Sequence, residues 1–240
     1  GVRRTPPRST SETTTTVRRP LVRRLRRALG AIGLATLLVV GALALRPHLT
    51  QNLGEIAPGR AYRSSQPTSR LPEMIREYRL ASILNLRGGS PTDSWYVDEV
   101  HNARDGGVNF YDLPLSAVRR PTRRELLLLI DVLVSAPPPL LIHCRAGADR
   151  TGLAAVVYNL SVLGLPPDQA MGGFTVLHGH FPLFGPQHLH EPINEYAAWL
   201  QAQGLEHEPS RFRRWVREEY QAPDPSKDPR PITPGSRHPV

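Results

Sequence analysis

The chain has 240 residues, enough for one domain of ordinary size with appendages. Its single cysteine excludes an intramolecular disulfide framework and a cysteine-rich zinc site. The formal net charge of +9 sits mainly at the front, where residues 1–27 hold nine arginines against Glu12, whereas residues 46–220 hold 18 arginines and 18 acids. A nucleic-acid-binding fold carries its basic patch on the folded body, with aromatics interleaved, so no nucleic-acid partner is expected.

In chain order, residues 1–27 begin with a Thr-, Ser-, Pro- and Arg-rich run without apolar periodicity and are expected to be a disordered basic N-terminus. Ala28 to Leu45 is 18 residues without a charge. As a helix this stretch is about 27 Å long, close to the ~30 Å hydrocarbon core of a bilayer. The arginine-rich front and Ala42-Leu43-Ala44 also suit a cleaved signal sequence, although the apolar run exceeds the ~7–15 residues usual there. A buried core helix is a third reading, but such a helix is rarely apolar on every side. The expectation is an uncleaved single-pass transmembrane helix over 28–45. Arg18, Arg19, Arg23, Arg24, Arg26 and Arg27 precede it, while only Arg46 and Arg60 follow within fifteen residues. Positive flanks stay inside, so a cytoplasmic N-terminus is expected, with the domain beyond the helix extracytoplasmic (in a bacterium, periplasmic).

Beyond it, residues 46–220 read as one domain. "GRAYRS" (59–64) predicts a strand, "PEMIREYRL" (72–80) a helix and "ASILNLRG" (81–88) an apolar strand. "SWYVDEVHNARDGG" (94–107) predicts a helix stopped by paired glycines, and "VNFYDLPL" (108–115) a strand. "TRRELLLLIDVLVSA" (122–136) predicts a helix with Thr122 as N-cap and Glu125 in the capping-box position. "PLLIHC" (139–144) predicts a buried strand, and "TGLAAVVYNLSVLG" (151–164) a helix ended by Gly164 and Pro166. Further helices are expected around 167–177, 186–203 and 210–220. Strands alternating with helices predict an α/β fold, a central, mainly parallel sheet flanked by helices. Residues 221–240, with six prolines, are expected to be a disordered tail.

The chemistry concentrates in "HCRAGADRTG" (143–152). An apolar strand delivers Cys144 to its C-terminal end, where ligands of open α/β sheets bind. Gly147 lets the backbone curl, and the amides of Arg145, Ala146, Gly147 and Ala148 can form an anion-binding nest in front of a helix N-terminus. Arg150 closes the nest with a planar two-pronged grip on oxygens. Such a positive nest favours the thiolate, the nucleophilic form of a cysteine. Thr151 is placed to donate to the sulfur, next to Gly152, and His143 to order the loop by hydrogen bonding.

This loop resembles the signature of cysteine-dependent protein tyrosine and dual-specificity phosphatases, His-Cys-x5-Arg followed by Thr or Ser and Gly. "GRAYRSSQP", "ILNLRG", "DLPLSAVRRPT" and "LHGHFP", in matching order, extend the resemblance to bacterial atypical dual-specificity-phosphatase-like proteins over about residues 54–205. The resemblance implies the cysteine phosphatase fold, no metal or other cofactor, and a two-step reaction in which Cys144 attacks phosphorus. Arg150 and the loop amides, with His143, Thr151 and Gly152 around them, would form the substrate site.

Two acids compete to protonate the leaving oxygen. Asp112 lies 32 residues before Cys144, a spacing like that of the general acid in many dual-specificity phosphatases. Asp149 lies inside the loop, as in myotubularins and bacterial lipid-and-tyrosine phosphatases with a Cys-x-x-Gly-x-Asp-Arg loop, and is favoured. Arg63 and Ser64 could reach a phosphate or serve packing, and "RRPTRRE" (119–125) could be a solvated face or meet an anionic surface. The expected substrate is a phosphorylated protein, lipid or small molecule. A phosphate-binding pseudoenzyme and a rhodanese-like sulfurtransferase are the alternatives; the intact Cys and Arg speak against the first and the Asp-Arg-Thr-Gly finish against the second.

Overall fold

The computed structural model describes residue 1 and residues 18–222. Residues 2–17 and 223–240, where most of the disordered N-terminus and tail were expected, lie outside the described residues. Two units are distinguished, Gly1–Ala42 and Leu43–Val240. Helix α1 runs from Arg18 to Leu49, beyond the uncharged stretch at both ends, and its segment Val22–Ala42 is long and apolar enough to cross a membrane.

The second unit is built on a five-stranded sheet of β1 (Gly54–Ala57), β2 (Ala61–Ser64), β3 (Ser82–Asn85), β4 (Asn109–Asp112) and β5 (Leu140–His143), in the order β1-β2-β5-β3-β4. All neighbours are parallel except β1, which pairs antiparallel with β2. The strand expected over 59–64 is thus the second arm of a hairpin whose turn takes up Pro58, Gly59 and Arg60. β5 occupies the centre, which is why "LLIH" is buried throughout.

Strand alternation sorts the side chains onto two faces. Leu140, Ile142 and Cys144 face one core with α4 (Arg123–Ser135), α5 (Asp149–Ser161) and α8 (Pro209–Glu218), where Leu126, Leu129, Leu153, Val157, Phe212 and Trp215 meet. Leu141 faces the other, with α2 (Leu71–Glu77) and α3 (Ser94–Asp105), among Met74, Ile75, Val100 and Ala103. Fully burying one such aliphatic side chain contributes roughly 1.5–3 kcal/mol. The capping box expected at α4 is present: the Thr122 side chain accepts from the Glu125 N–H, and the Glu125 side chain accepts from the Thr122 N–H.

Three boundaries differ from expectation. α5 begins at Asp149, so the last two loop residues already belong to its first turn. The helix expected over 167–177 is a short α6 (Pro167–Ala170) followed by 3-10 turns at Met171–Gly173 and Val176–His178. The one expected over 186–203 is a 3-10 turn at Pro186–Leu189 leading into α7 (Glu191–Gln203).

Candidate active site

Cys144 leaves the C-terminal end of β5 with only 2% of its surface exposed. Its Sγ accepts a hydrogen bond from the Gly147 N–H at 3.3 Å. The bond expected from Thr151 is not formed; that hydroxyl is buried without a partner. The loop then runs into α5, whose first turn carries Asp149 and Arg150. Arg145 and Ala146 are exposed, while Gly147, Ala148, Thr151 and Gly152 are buried.

What orients this loop comes from outside it. The Arg145 carbonyl accepts from the Gln66 N–H at 3.3 Å, and the Ala146 carbonyl from Asn52 Nδ2 at 2.9 Å. Arg63 Nη2 donates to the carbonyls of Gly147 (3.0 Å) and Ala148 (3.4 Å), while its Nη1 donates to Gly173 at 2.7 Å. In a planar trans peptide the N–H points opposite to the C=O. Four carbonyls held from behind therefore turn the N–H groups of Ala146, Gly147, Ala148 and Asp149 toward the hollow of the loop. Gly147 is required: at φ +70° an added Cβ would come within 2.6 Å of the Ser64 and Ser65 backbone.

Arg63 lies in phase with Ala61 on β2, on the α5 side of the sheet. It is 3% exposed, and burial pushes its guanidinium down to about 10, an effect opposed by the nearby Cys144. Its guanidinium is spent on backbone carbonyls, a bracing role that differs from both the phosphate contact and the packing weighed from the sequence.

His143 is in phase with Leu141 and so points away from Cys144, toward α3. It is wholly buried, with Nε2 2.5 Å from Glu99 Oε1. Glu99 Oε2 accepts from Gln66 Nε2 at 2.7 Å, and Gln66 Oε1 accepts from Arg87 at 3.3 Å. His143 thus anchors the strand end, beneath the site instead of on its surface.

Three arginines meet at the mouth. Arg150 Nη1 donates over long distances, 3.4–3.5 Å, to the carbonyls of Leu86, Arg87 and Leu115, and its Nε has no partner. Arg87 stacks on Trp95 with 3.7 Å from its guanidinium carbon to the ring centroid. Burial, then Arg145, then Arg150 push the Arg87 guanidinium down. The "RRPTRRE" arginines do other work: Arg119 pairs with Glu125, Arg120 with Glu195, and Arg123 donates to the Tyr220 carbonyl.

The two acids occupy different places. Asp149 Oδ1 lies 2.8 Å from His180 Nδ1, at the edge of the loop. Asp112 is in register with Asn85, which is in register with His143, so it lies two strands away, roughly 10 Å across the sheet. Its Oδ2 accepts from the Tyr96 hydroxyl at 3.0 Å.

Arg63 was weighed from the sequence without its role being fixed, whereas Asn52, Gln66, Arg87 and Glu99 were missed. The one signal available was that "YRSSQP" and "ILNLRG" place Gln66 and Arg87 just beyond strand ends, on the side where the loop emerges.

Residues 45–178 match the family described as the tyrosine phosphatase family. Among solved structures, the chain is similar to TpbA of P. aeruginosa, with 21% identity over 60% of this chain and 92% of that one, at a TM-score of 0.44. It is also similar to the core catalytic domain of the PP-IP phosphatase SIW14 from S. cerevisiae, with 20% identity over 64% of this chain and 93% of that one, at a TM-score of 0.48. No curated protein sequence matches.

Proposed function

The chain belongs to the tyrosine phosphatase family, and from that premise we propose that it hydrolyses phosphomonoesters through a phosphocysteine intermediate. The observation that carries this reading is the set of loop amides turned inward around the Cys144 sulfur by donors from outside the loop. In the first step Sγ attacks phosphorus and the bond to the leaving oxygen breaks. The equatorial oxygens rest on the loop N–H groups and Arg150, where the charge of the transition state develops. Asp149 gives its proton to the leaving oxygen. In the second step water attacks phosphorus, Asp149 takes a proton from it, the S–P bond breaks and phosphate leaves.

Asp149 is preferred as the acid because it sits on the loop, whereas Asp112 is held by Tyr96 at the far strand. Arg87 and Arg145 beside Arg150 favour a phosphoprotein, lipid or small molecule with a second anionic group near the scissile phosphate, which relieves their mutual repulsion. The apolar segment of α1 and its arginine flank support a single-pass anchor, with the N-terminus inside and the catalytic unit outside.

Cys144→Ser is expected to abolish turnover of an aryl phosphate while phosphate affinity stays near wild type; a Ser variant keeping a tenth of the activity sinks the covalent route. Asp149→Asn is expected to lower kcat by ~10²–10⁴ for an alkyl phosphate and far less for an aryl phosphate, whose leaving group scarcely needs a proton. The same pattern in Asp112→Asn, and not in Asp149→Asn, would transfer the role.

A further inference from the structure

Behind Asp149 runs a chain of titratable groups that the two steps above do not employ. Asp149 Oδ1 lies 2.8 Å from His180 Nδ1, and His180 Nε2 lies 2.7 Å from His190 Nε2. Phe174 stacks on both imidazoles, with ring centroids 4.4 Å and 4.3 Å away. Phe174 is itself seated against the first turn of α5, where a Cβ on Gly152 would come within 2.7 Å of its ring. The two histidines are therefore fixed to the same helix end that carries Asp149. His180 is 2% exposed, while His190, next to the N-terminus of α7, is only partly buried.

We propose that His180 and His190 relay protons between solvent and the Asp149 carboxyl. Two imidazoles that meet Nε2 to Nε2 can share a hydrogen only if one donates and the other accepts, so their tautomers are coupled. In one arrangement Asp149 is a carboxylate accepting from His180 Nδ1–H, and His180 Nε2 accepts from His190 Nε2–H. In the other, Asp149 is the acid donating to His180 Nδ1, His180 Nε2–H donates to His190 Nε2, and His190 Nδ1 carries a proton. Going from the first to the second takes up one solvent proton at His190 Nδ1 and shifts two protons along the chain, so one proton enters and one is gained at Asp149. Both arrangements need neutral imidazoles. Burial first, and then His180, push His190 down from the usual histidine range, toward that neutral form.

The charged groups around the chain do not interrupt it. Arg150 follows Asp149 on α5 and reaches for the carbonyls of Leu86, Arg87 and Leu115, and Arg63 of β2 is spent on carbonyls behind the loop. His188 and Glu191 flank His190 and pair with each other at 2.6 Å, and Arg120 reaches Glu191 at 3.7 Å. Because the second step returns a proton to Asp149, the relay acts before the first: it loads a carboxyl that enters the cycle ionised, by a route other than the mouth, which a bound substrate fills.

This inference rests on Asp149 being the general acid, and the test separates the two. His180→Gln puts an amide in place of the imidazole and has no tautomers to exchange; His190→Gln breaks the chain one link further out. In the full chain, His180→Gln is expected to lower kcat for an alkyl phosphate ~10-fold, at least five times more than for an aryl phosphate, and His190→Gln to do the same to a smaller extent. In mixtures of light and heavy water, the curved dependence of the wild-type alkyl phosphate rate should become linear in both variants. Unchanged rates and curvature, or an equal loss on both substrates, overturn the relay. An Asp149→Asn protein that does not discriminate the leaving groups takes away the acid assignment, and the relay with it.

Discussion

The floor of the site and its rim are built on opposite principles. On the floor, Cys144 to Arg150, four carbonyls are tied down by groups from elsewhere in the chain, and most of the tying atoms are buried. The rim, residues 174–190, is a run of short turns that leaves Val176, Leu177, Phe181, Leu183 and Phe184 exposed, Phe184 to 98%. Among its ties inward, Asn52 donates to the His178 carbonyl, His180 meets Asp149, and Phe174 rests on the first turn of α5. The family match stops at residue 178, at the rim. In the reaction proposed above, the charge to be stabilised always sits over the floor, whereas the rim would meet whatever part of the substrate lies beyond the phosphate.

The largest effect expected from breaking this contrast is on the floor. Gly147→Ala puts a Cβ into the Ser64–Ser65 backbone, at a φ that L residues avoid, so the amides must move. A misplacement near 1 Å costs on the order of 10²-fold in rate, and at least that loss of kcat is expected toward an aryl phosphate. Near-wild-type kinetics would mean that the floor is not rigid.

Next comes Arg63→Met, which strips the donor from the Gly147 and Gly173 carbonyls and leaves Ala148 only the Gly152 N–H, without touching the hollow of the loop. Each orphaned buried acceptor costs roughly 1–3 kcal/mol, partly offset here by removing a buried cation. A fall in kcat of about 10–10²-fold is expected, with a smaller change in thermal stability. Stability loss without a kcat effect would make Arg63 a packing residue only.

The smallest expected effect belongs to the rim and sharpens the contrast. His190 and, between Tyr196 and the Leu160 carbonyl, His207 are both held below the ordinary histidine value of 6.5, chiefly by burial. Below about pH 6.5 the unfolded chain therefore binds protons that the folded chain refuses, and stability falls as the pH drops, until the lowered folded values are reached. His190→Asn should flatten the decline in Tm between about pH 7 and pH 5 relative to the wild type. An unchanged slope would place the dependence elsewhere.

Local patterns made much of the fold legible. The capping box at Thr122 and Glu125, the apolar runs of β3 and β5 and the glycine stop after α3 are each written within a few neighbouring residues. β1 was not legible, because only Ala57 of its four residues is buried and no alternation forms. The loop could be read because its residues are contiguous. Its braces could not: Asn52 and Ala146 are 94 positions apart, and Glu99 and His143 become neighbours only once β3 and β5 are known to be adjacent. Placing Arg63 likewise required knowing that β2 lies beside β5 and that odd positions of β2 face α5.

The lone thiol described at the end of β5 also makes this chain its own counting device. A small anionic alkylating agent has one thiol to find in 240 residues, and that thiol sits in a hollow lined by N–H groups that attract anions. One mass increment per chain, suppressed by inorganic phosphate, then reports the fraction of molecules whose loop is correctly formed. Preparations can be compared by that fraction before any substrate is known.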